Sequence, residues 1–357
     1  MNKFPRLHVL MPTAIATAAI TLLSPLDISV RAKVDRNGQT QDRQFARSEE
    51  LKPMLLVQTK AQALVFQGAV LFERNRFQDA LTAFKEATQL EPEFAEAWYG
   101  QGRALARLKR PQEALVAYAT SIQLKPEFVD SWDGLIGTLY SLKRYQELLA
   151  FSDEVLKLKS DFPYAWIGRG TALYGLRRYQ EALVAANKAI QLQPNLAPAW
   201  SGRGNIYLRL KQPQEALADF DKSIQFNPDN FDGWYYRGYV LDELKRYEEA
   251  LQAYDKALSI TTANIVSMPW HNKGVTLNNL KRYQEAIAAF DKAIQLNDYF
   301  SEFVNLTIAD SWYGRGVALF ALKRYPEAVA SFDKAIAERS DFVDAIKARS
   351  VAQKWLR

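Results

Sequence analysis

An all-α chain of tandem helical hairpins is what this sequence predicts, on three observations. The first is a ruler: Trp98, Trp132, Trp166, Trp200 and Trp234 stand 34 residues apart, and Trp270 and Trp312 continue the series after insertions of two and eight residues. The second is that each interval holds two apolar stripes at helical spacing. With Trp at position 4, apolar residues recur at positions 4, 8 and 11, as in Trp166, Gly170 and Leu173, and again at 20, 24 and 27, as in Ala250, Tyr254 and Ala257. The third is where proline falls. Pro111 and Pro213 suit the first turn of a helix, where a missing N–H costs nothing, and Pro92, Pro126, Pro194 and Pro228 close the second helix.

At the start of the chain, residues 7–26 contain no Lys, Arg, Asp or Glu and follow Lys3 and Arg6. A basic start and an apolar run is the layout of a secretory signal, with a possible cut near Ala32. Twenty uncharged residues are also about the length that spans a bilayer, so a retained anchor stays open, as does a plain tail. Residues 1–32 are therefore expected to be a signal peptide or membrane anchor. The body is expected to be exported, either periplasmic or anchored facing outside the cytoplasm. Residues 33–53 are poor in apolar residues, and residues 33–60 read as a flexible linker.

Eight units follow, at about 61–94, 95–128, 129–162, 163–196, 197–230, 231–264, 267–300 and 309–342. Small residues at positions 8 and 20 let two helix backbones approach, and the ring at position 24 fills the groove above them. Glu113, Glu147, Glu181, Glu215, Glu249, Glu285 and Glu327 stand in the first turn of the second helix, where the helix dipole favours negative charge. The order Trp, Gly, aromatic, Ala, aromatic, Ala, Pro over 34 residues resembles the tetratricopeptide repeat, across residues 61–342. That resemblance implies a right-handed α-solenoid superhelix. The unit at 129–162 departs most: Ile136 replaces the Gly, Leu148 the Ala, Ser152 the ring and Ser160 the Pro. Residues 343–357 are expected to form a capping helix with Ala345, Ala348, Val351, Ala352 and Trp355 on its apolar stripe.

Composition excludes several kinds of chemistry. The absence of cysteine removes disulfides, thiol catalysis and thiolate metal sites, and His8 and His271 are the two histidines. No phosphate-loop, zinc-protease or nucleophile-elbow motif occurs. The "GRG" tripeptides place a packing glycine in mid-helix, and "PDNFDG" at 228–233 puts Phe231 where a calcium ligand belongs. Catalytic residues, metal and cofactor are all expected to be none. Most of the net charge of +6 lies in the first 60 residues, so nucleic acid is not an expected partner. A basic pair recurs at positions 15–16, from Lys109-Arg110 to Lys323-Arg324. It could form a cationic edge for acidic polymers or lipid headgroups. The plainer reading is cations placed at a helix C-terminus and an exposed turn.

The resemblance implies that a partner protein or peptide segment lies in a concave groove lined by the first helix of each unit. Positions 2, 5, 9, 12 and 13 project there. In this chain they include Tyr99, Arg103, Tyr140, Tyr164, Tyr174, Asn205, Arg209, Tyr235, Tyr239, His271, Asn278, Asn279, Tyr313 and Phe320. Tyr and Arg give large contact area with few rotors, which suits recognition. The family's carboxylate clamp, which needs Lys, Asn, Asn, Lys and Arg over three units, is not matched by any three consecutive units. The expected activity is a non-enzymatic protein-binding scaffold. A membrane-tethered envelope assembly factor through residues 7–26 and a polysaccharide-binding or enzyme-associated solenoid are the alternatives. The insertion within residues 297–310 reads equally as a partner-contacting flap or as an extra turn of helix.

Overall fold

The computed structural model describes residues 59–260, 267–296 and 305–356. The expected leader and all but the end of the linker lie outside these, as does the first part of the 297–310 insertion. The described residues form seventeen α-helices and no strand. They are α1 (Lys60–Glu73), α2 (Phe77–Leu90), α3 (Ala95–Arg107), α4 (Pro111–Leu124), α5 (Val129–Ser141), α6 (Tyr145–Leu158), α7 (Pro163–Gly175), α8 (Tyr179–Leu192) and α9 (Ala197–Arg209). Then come α10 (Pro213–Phe226), α11 (Phe231–Glu243), α12 (Tyr247–Ile260), α13 (Ser267–Asn279), α14 (Tyr283–Gln295), α15 (Asn305–Ala321), α16 (Tyr325–Glu338) and α17 (Val343–Lys354). Odd-numbered helices up to α15 open a hairpin and even-numbered ones close it, and α17 follows the last. The helix α15 begins at Asn305, one turn before its unit would, so the described end of the insertion is extra helix.

The turn inside every hairpin has one construction. Position 15, from Asn75 and Lys109 to Lys323, holds φ between 56° and 61° in all eight hairpins. The next residue's N–H then reaches back to the carbonyl five residues earlier, as Arg246 does to Leu241 at 2.8 Å. This closes the first helix through a left-handed residue, a position that usually prefers glycine. Seven of the position-16 arginines bind the acid three residues on; Arg246 to Glu249 and Arg110 to Glu113 are examples, at 2.6–2.7 Å. The recurrent basic pair is thus half turn geometry and half a local ion pair with the next helix.

The tryptophan period has a simple cause. The indole N–H of Trp98, Trp132, Trp200 and Trp234 donates to the carbonyl of Pro92, Pro126, Pro194 and Pro228, at 2.7–3.0 Å. Trp and Pro together fix the angle at which one hairpin enters the next. The core between hairpins is a ring set into glycines. A Cβ on Gly274 would lie 2.8 Å from the Phe290 ring, and one on Gly314 of the next hairpin 2.4 Å from it. Phe84 stands in the same way between Gly68 and Gly100, and Tyr118 between Gly102 and Gly134.

Two compact units divide the chain. One runs to Ser160 and takes Thr171–Arg177; the other takes Asp161–Gly170 and everything from Arg178. Within each unit a first helix packs on its own second helix, which packs on the next first helix. Successive first helices also touch one another, more extensively than successive second helices do. Neighbouring hairpins are therefore closer on the first-helix side, and that face is the hollow one within each unit. At the C-terminal end Ala345 and Ala352 are buried and Ala348 packs on the core. Val351 is largely open, and Trp355 stacks on Tyr325 at 5.6 Å while remaining 62% exposed.

Candidate functional site: the first-helix face

Position 5 carries packing more than display. The Tyr99 ring meets Phe128 edge-on at 5.1 Å, and Tyr313 lies 5.1 Å from Phe342, the corresponding residue of its own unit. Tyr235 is buried, stacked parallel to Phe231, and its hydroxyl accepts from Asn272 Nδ2 at 3.2 Å. His271 at the same position hydrogen-bonds through Nδ1 to Ser311 Oγ at 2.8 Å and meets Phe290 edge-on. Burial lowers its pKa against the pull of Asp310. Burial likewise raises the pKa values of Tyr99, Tyr235 and Tyr313.

The other expected contacts divide by exposure. Tyr164 is buried against Phe162, Tyr140 packs on Tyr145 at 5.2 Å, and Tyr174 and Asn205 are half-buried. Asn278 donates to the Gly314 carbonyl at 2.9 Å, and Phe320 packs on Tyr325. Arg103 is mostly covered: its guanidinium lies 4.1 Å over the Phe72 ring and 3.5 Å from Glu73. Arg209, Tyr239 and Asn279 are the exposed members of the set. They occupy positions 9 and 13.

Acids on the same face complete it, and residue-type reasoning passed them over. In the first unit Asp130 and Asp133 stand at positions 2 and 5 of α5. Asp133 touches solvent, yet desolvation first and the neighbouring Asp130 second push its pKa up to about 7. In the second unit Asp232, Asp242 and Glu243 take positions 2, 12 and 13 of α11; Asp232 and Glu243 are exposed, and Asp242 is half-buried, which raises its pKa. Asp242 accepts a hydrogen bond from Thr276 Oγ1 at 3.1 Å. The signal was available: these acids occupy the positions already assigned to the groove. Among the described residues no group of three His, Asp or Glu side chains is placed to hold a metal ion, and no helix is long and apolar enough to cross a membrane.

Profiles of the tetratricopeptide repeat match residues 67–127 and residues 163–196, 197–230, 231–260, 268–300 and 309–342. Residues 128–162, which include the irregular unit, lie between the matched stretches. Among solved structures the chain is similar to the APC/C hetero-tetramer Cut9–Hcn1, at 14% identity and a TM-score of 0.56, covering 87% of this chain and 75% of that one. It is also similar to YrrB, described as a TPR protein with an unusual peptide-binding site, at 24% identity and a TM-score of 0.47, covering 56% of this chain and 97% of that one. MamA matches at 18% identity and a TM-score of 0.44, covering 50% and 92%. No curated protein matches. The repeated hairpins, the ring between glycines and the matched profiles agree, and the chain belongs to the tetratricopeptide repeat family.

Proposed function

We propose that this chain is a non-enzymatic scaffold that binds a segment of a partner protein along the first-helix face. The observation that carries this reading is a contrast in charge and exposure. On the second-helix side, cations and acids engage one another locally, as in Arg178–Glu181 and Arg282–Glu285. On the first-helix side Tyr239 is 39% exposed, Asn279, Asp232 and Glu243 are exposed, and Asp242 is half-buried. An exposed tyrosine in a hollow offers contact area at low entropic cost, on a scaffold that needs little ordering to bind. The family is typically one of protein-interaction scaffolds.

The test is photo-crosslinking in the native cell, with a benzophenone amino acid at Tyr239 or Asn279 and, as control, at the exposed Gln252 of α12. A partner adduct from 239 and 279 but not from 252 is expected. Adducts from 252 alone would overturn the reading. We also propose an exported location, supported by the uncharged run at 7–26 behind Lys3 and Arg6. Fractionation and N-terminal sequencing of the mature chain test it; a cytoplasmic chain that keeps residues 1–32 would exclude it.

A further inference from the structure

We infer that the cations at the left-handed position of the hairpin turns form a docking edge for an anionic lipid surface. This edge is distinct from the first-helix face proposed above for protein binding, and either can fail without the other.

The residue types at these turns run against the backbone. Position 15 holds φ between 56° and 61°, where a Cβ crowds the following carbonyl and glycine or asparagine is favoured. Asparagine stands there once, as Asn75; the other seven are Lys109, Lys143, Arg177, Lys211, Lys245, Lys281 and Lys323. All seven are exposed. The helix dipole does not account for them. A cation gains from the dipole within the last helical turn, at an ordinary φ, yet six of the eight first helices carry no basic residue there. Internal ion pairs do not account for them either. The position-16 arginines bind the acid of the next helix, whereas Lys109, Arg177, Lys211, Lys245, Lys281 and Lys323 pair with no acid among the described residues.

Hairpins packed side by side bring these turns to one edge of each unit. Lys109, Lys143 and Arg177 lie in one unit, and Lys211, Lys245, Lys281 and Lys323 in the other. Packed helices stand about 8–10 Å apart, near the Debye length of about 8 Å, so such a row repels itself little. The flanking residues select lipid over a soluble polyanion. Leucine precedes the cation at all seven turns; six of these leucines are half-buried, and Leu322 is 37% exposed. Two residues after the cation stand Tyr145, Tyr179, Tyr247, Tyr283 and Tyr325, each half-buried. A bilayer interface takes up leucine, tyrosine and lysine together, and a hydrated polyphosphate or polysaccharide has no use for the first two.

The experiment is flotation of the full chain with vesicles of mixed phosphatidylglycerol and phosphatidylcholine, and with vesicles of phosphatidylcholine alone. Tighter binding to the anionic vesicles is expected, weakening as salt rises. The combined variant Lys211→Gly, Lys245→Gly, Lys281→Gly and Lys323→Gly suits the left-handed backbone, so it should melt no lower than wild type while losing affinity. The expected loss is about fivefold per cation that reaches the surface, and at least about tenfold for the four. Lys→Arg at the same four positions should bind as wild type does. The uncharged run 7–26 is common to every variant, so their difference reports the edge. Equal binding to both kinds of vesicle, or undiminished binding by the glycine variant, would overturn the inference. A glycine variant that melts lower or does not fold would overturn it too, because the cations would then serve the turn. Tighter binding of free inorganic polyphosphate than of vesicles, at equal charge, would reassign the edge to soluble polyanions.

Discussion

The hairpin at 267–300 and the hairpin at 129–162 solve the same packing problem with opposite choices of size. In the first, Phe290 is fully buried between Gly274 of its own hairpin and Gly314 of the next, and Ala286 lets the two helices close. In the second, the large residues have moved: Ile136 stands where the glycine belongs, Leu148 where the alanine belongs, and the ring has shrunk to Ser152. Leu148 is fully buried, and Ser152 is buried with its hydroxyl lacking a partner. A core that keeps its volume tolerates such an exchange, so the hairpin survives without the signature residues. The lesson is that the repeat is defined by complementary volumes across two helices, and the signature is one way to achieve them.

The largest effect should come from emptying the regular joint. Phe290→Ala removes a fully buried ring from between two backbones, and should cost about 3–5 kcal/mol in chemical denaturation of the unit from Arg178 onward. A loss under about 1 kcal/mol would mean that the glycine-flanked ring does not set the joint's stability.

Filling rather than emptying gives an intermediate effect with opposite signs in the two hairpins. Gly274→Ala places a methyl 2.8 Å from the Phe290 ring and should destabilise by about 1–3 kcal/mol. At Gly137 of α5 a Cβ meets nothing within 4 Å, so Gly137→Ala should stabilise by about 0.5–1 kcal/mol through helix propensity alone. Thermal melts of both variants check the signs; equal signs would erase the distinction between the two hairpins.

The smallest effect concerns the hollow of the irregular hairpin. The Asp133 carboxyl has its pKa raised from 3.8 to about 7, so the folded chain holds that proton more tightly than the unfolded chain. Stability therefore falls as pH rises through the interval between those values, and the penalty is complete above about pH 7. Asp133→Asn lacks the penalty. Its melting point should exceed wild type at pH 8, and the gain should shrink toward pH 5. Solvent contact screens part of the effect. A gain independent of pH would assign the change to something other than this carboxyl.

Much of the fold was legible because packing and capping leave marks at fixed spacing. Trp and Pro six residues apart are donor and acceptor of one hydrogen bond, and Gly with a ring sixteen residues later are the two halves of one contact. Other features left weaker marks. The left-handed position 15 ordinarily favours glycine, but here Asn, Lys and Arg take it, so no glycine announced the turn. The first-helix positions were legible in the sequence, but how far each of their side chains is exposed was not. Attention to Tyr and Arg selected Tyr99, Tyr235 and Tyr313, which the fold uses between helices. The acids on the same face, Asp133 and Asp242, went unremarked.

By itself the sequence determined the hairpin, its length, the order of large and small residues at each joint and the absence of thiol chemistry. All of these are local or periodic, so one chain written out in order contains them. Tertiary structure decided which first-helix residues are displayed and which are walled in, and which cations are already taken by neighbouring acids. Those properties depend on what stands across the next helix, and neighbours in space are set by packing rather than by spacing along the chain.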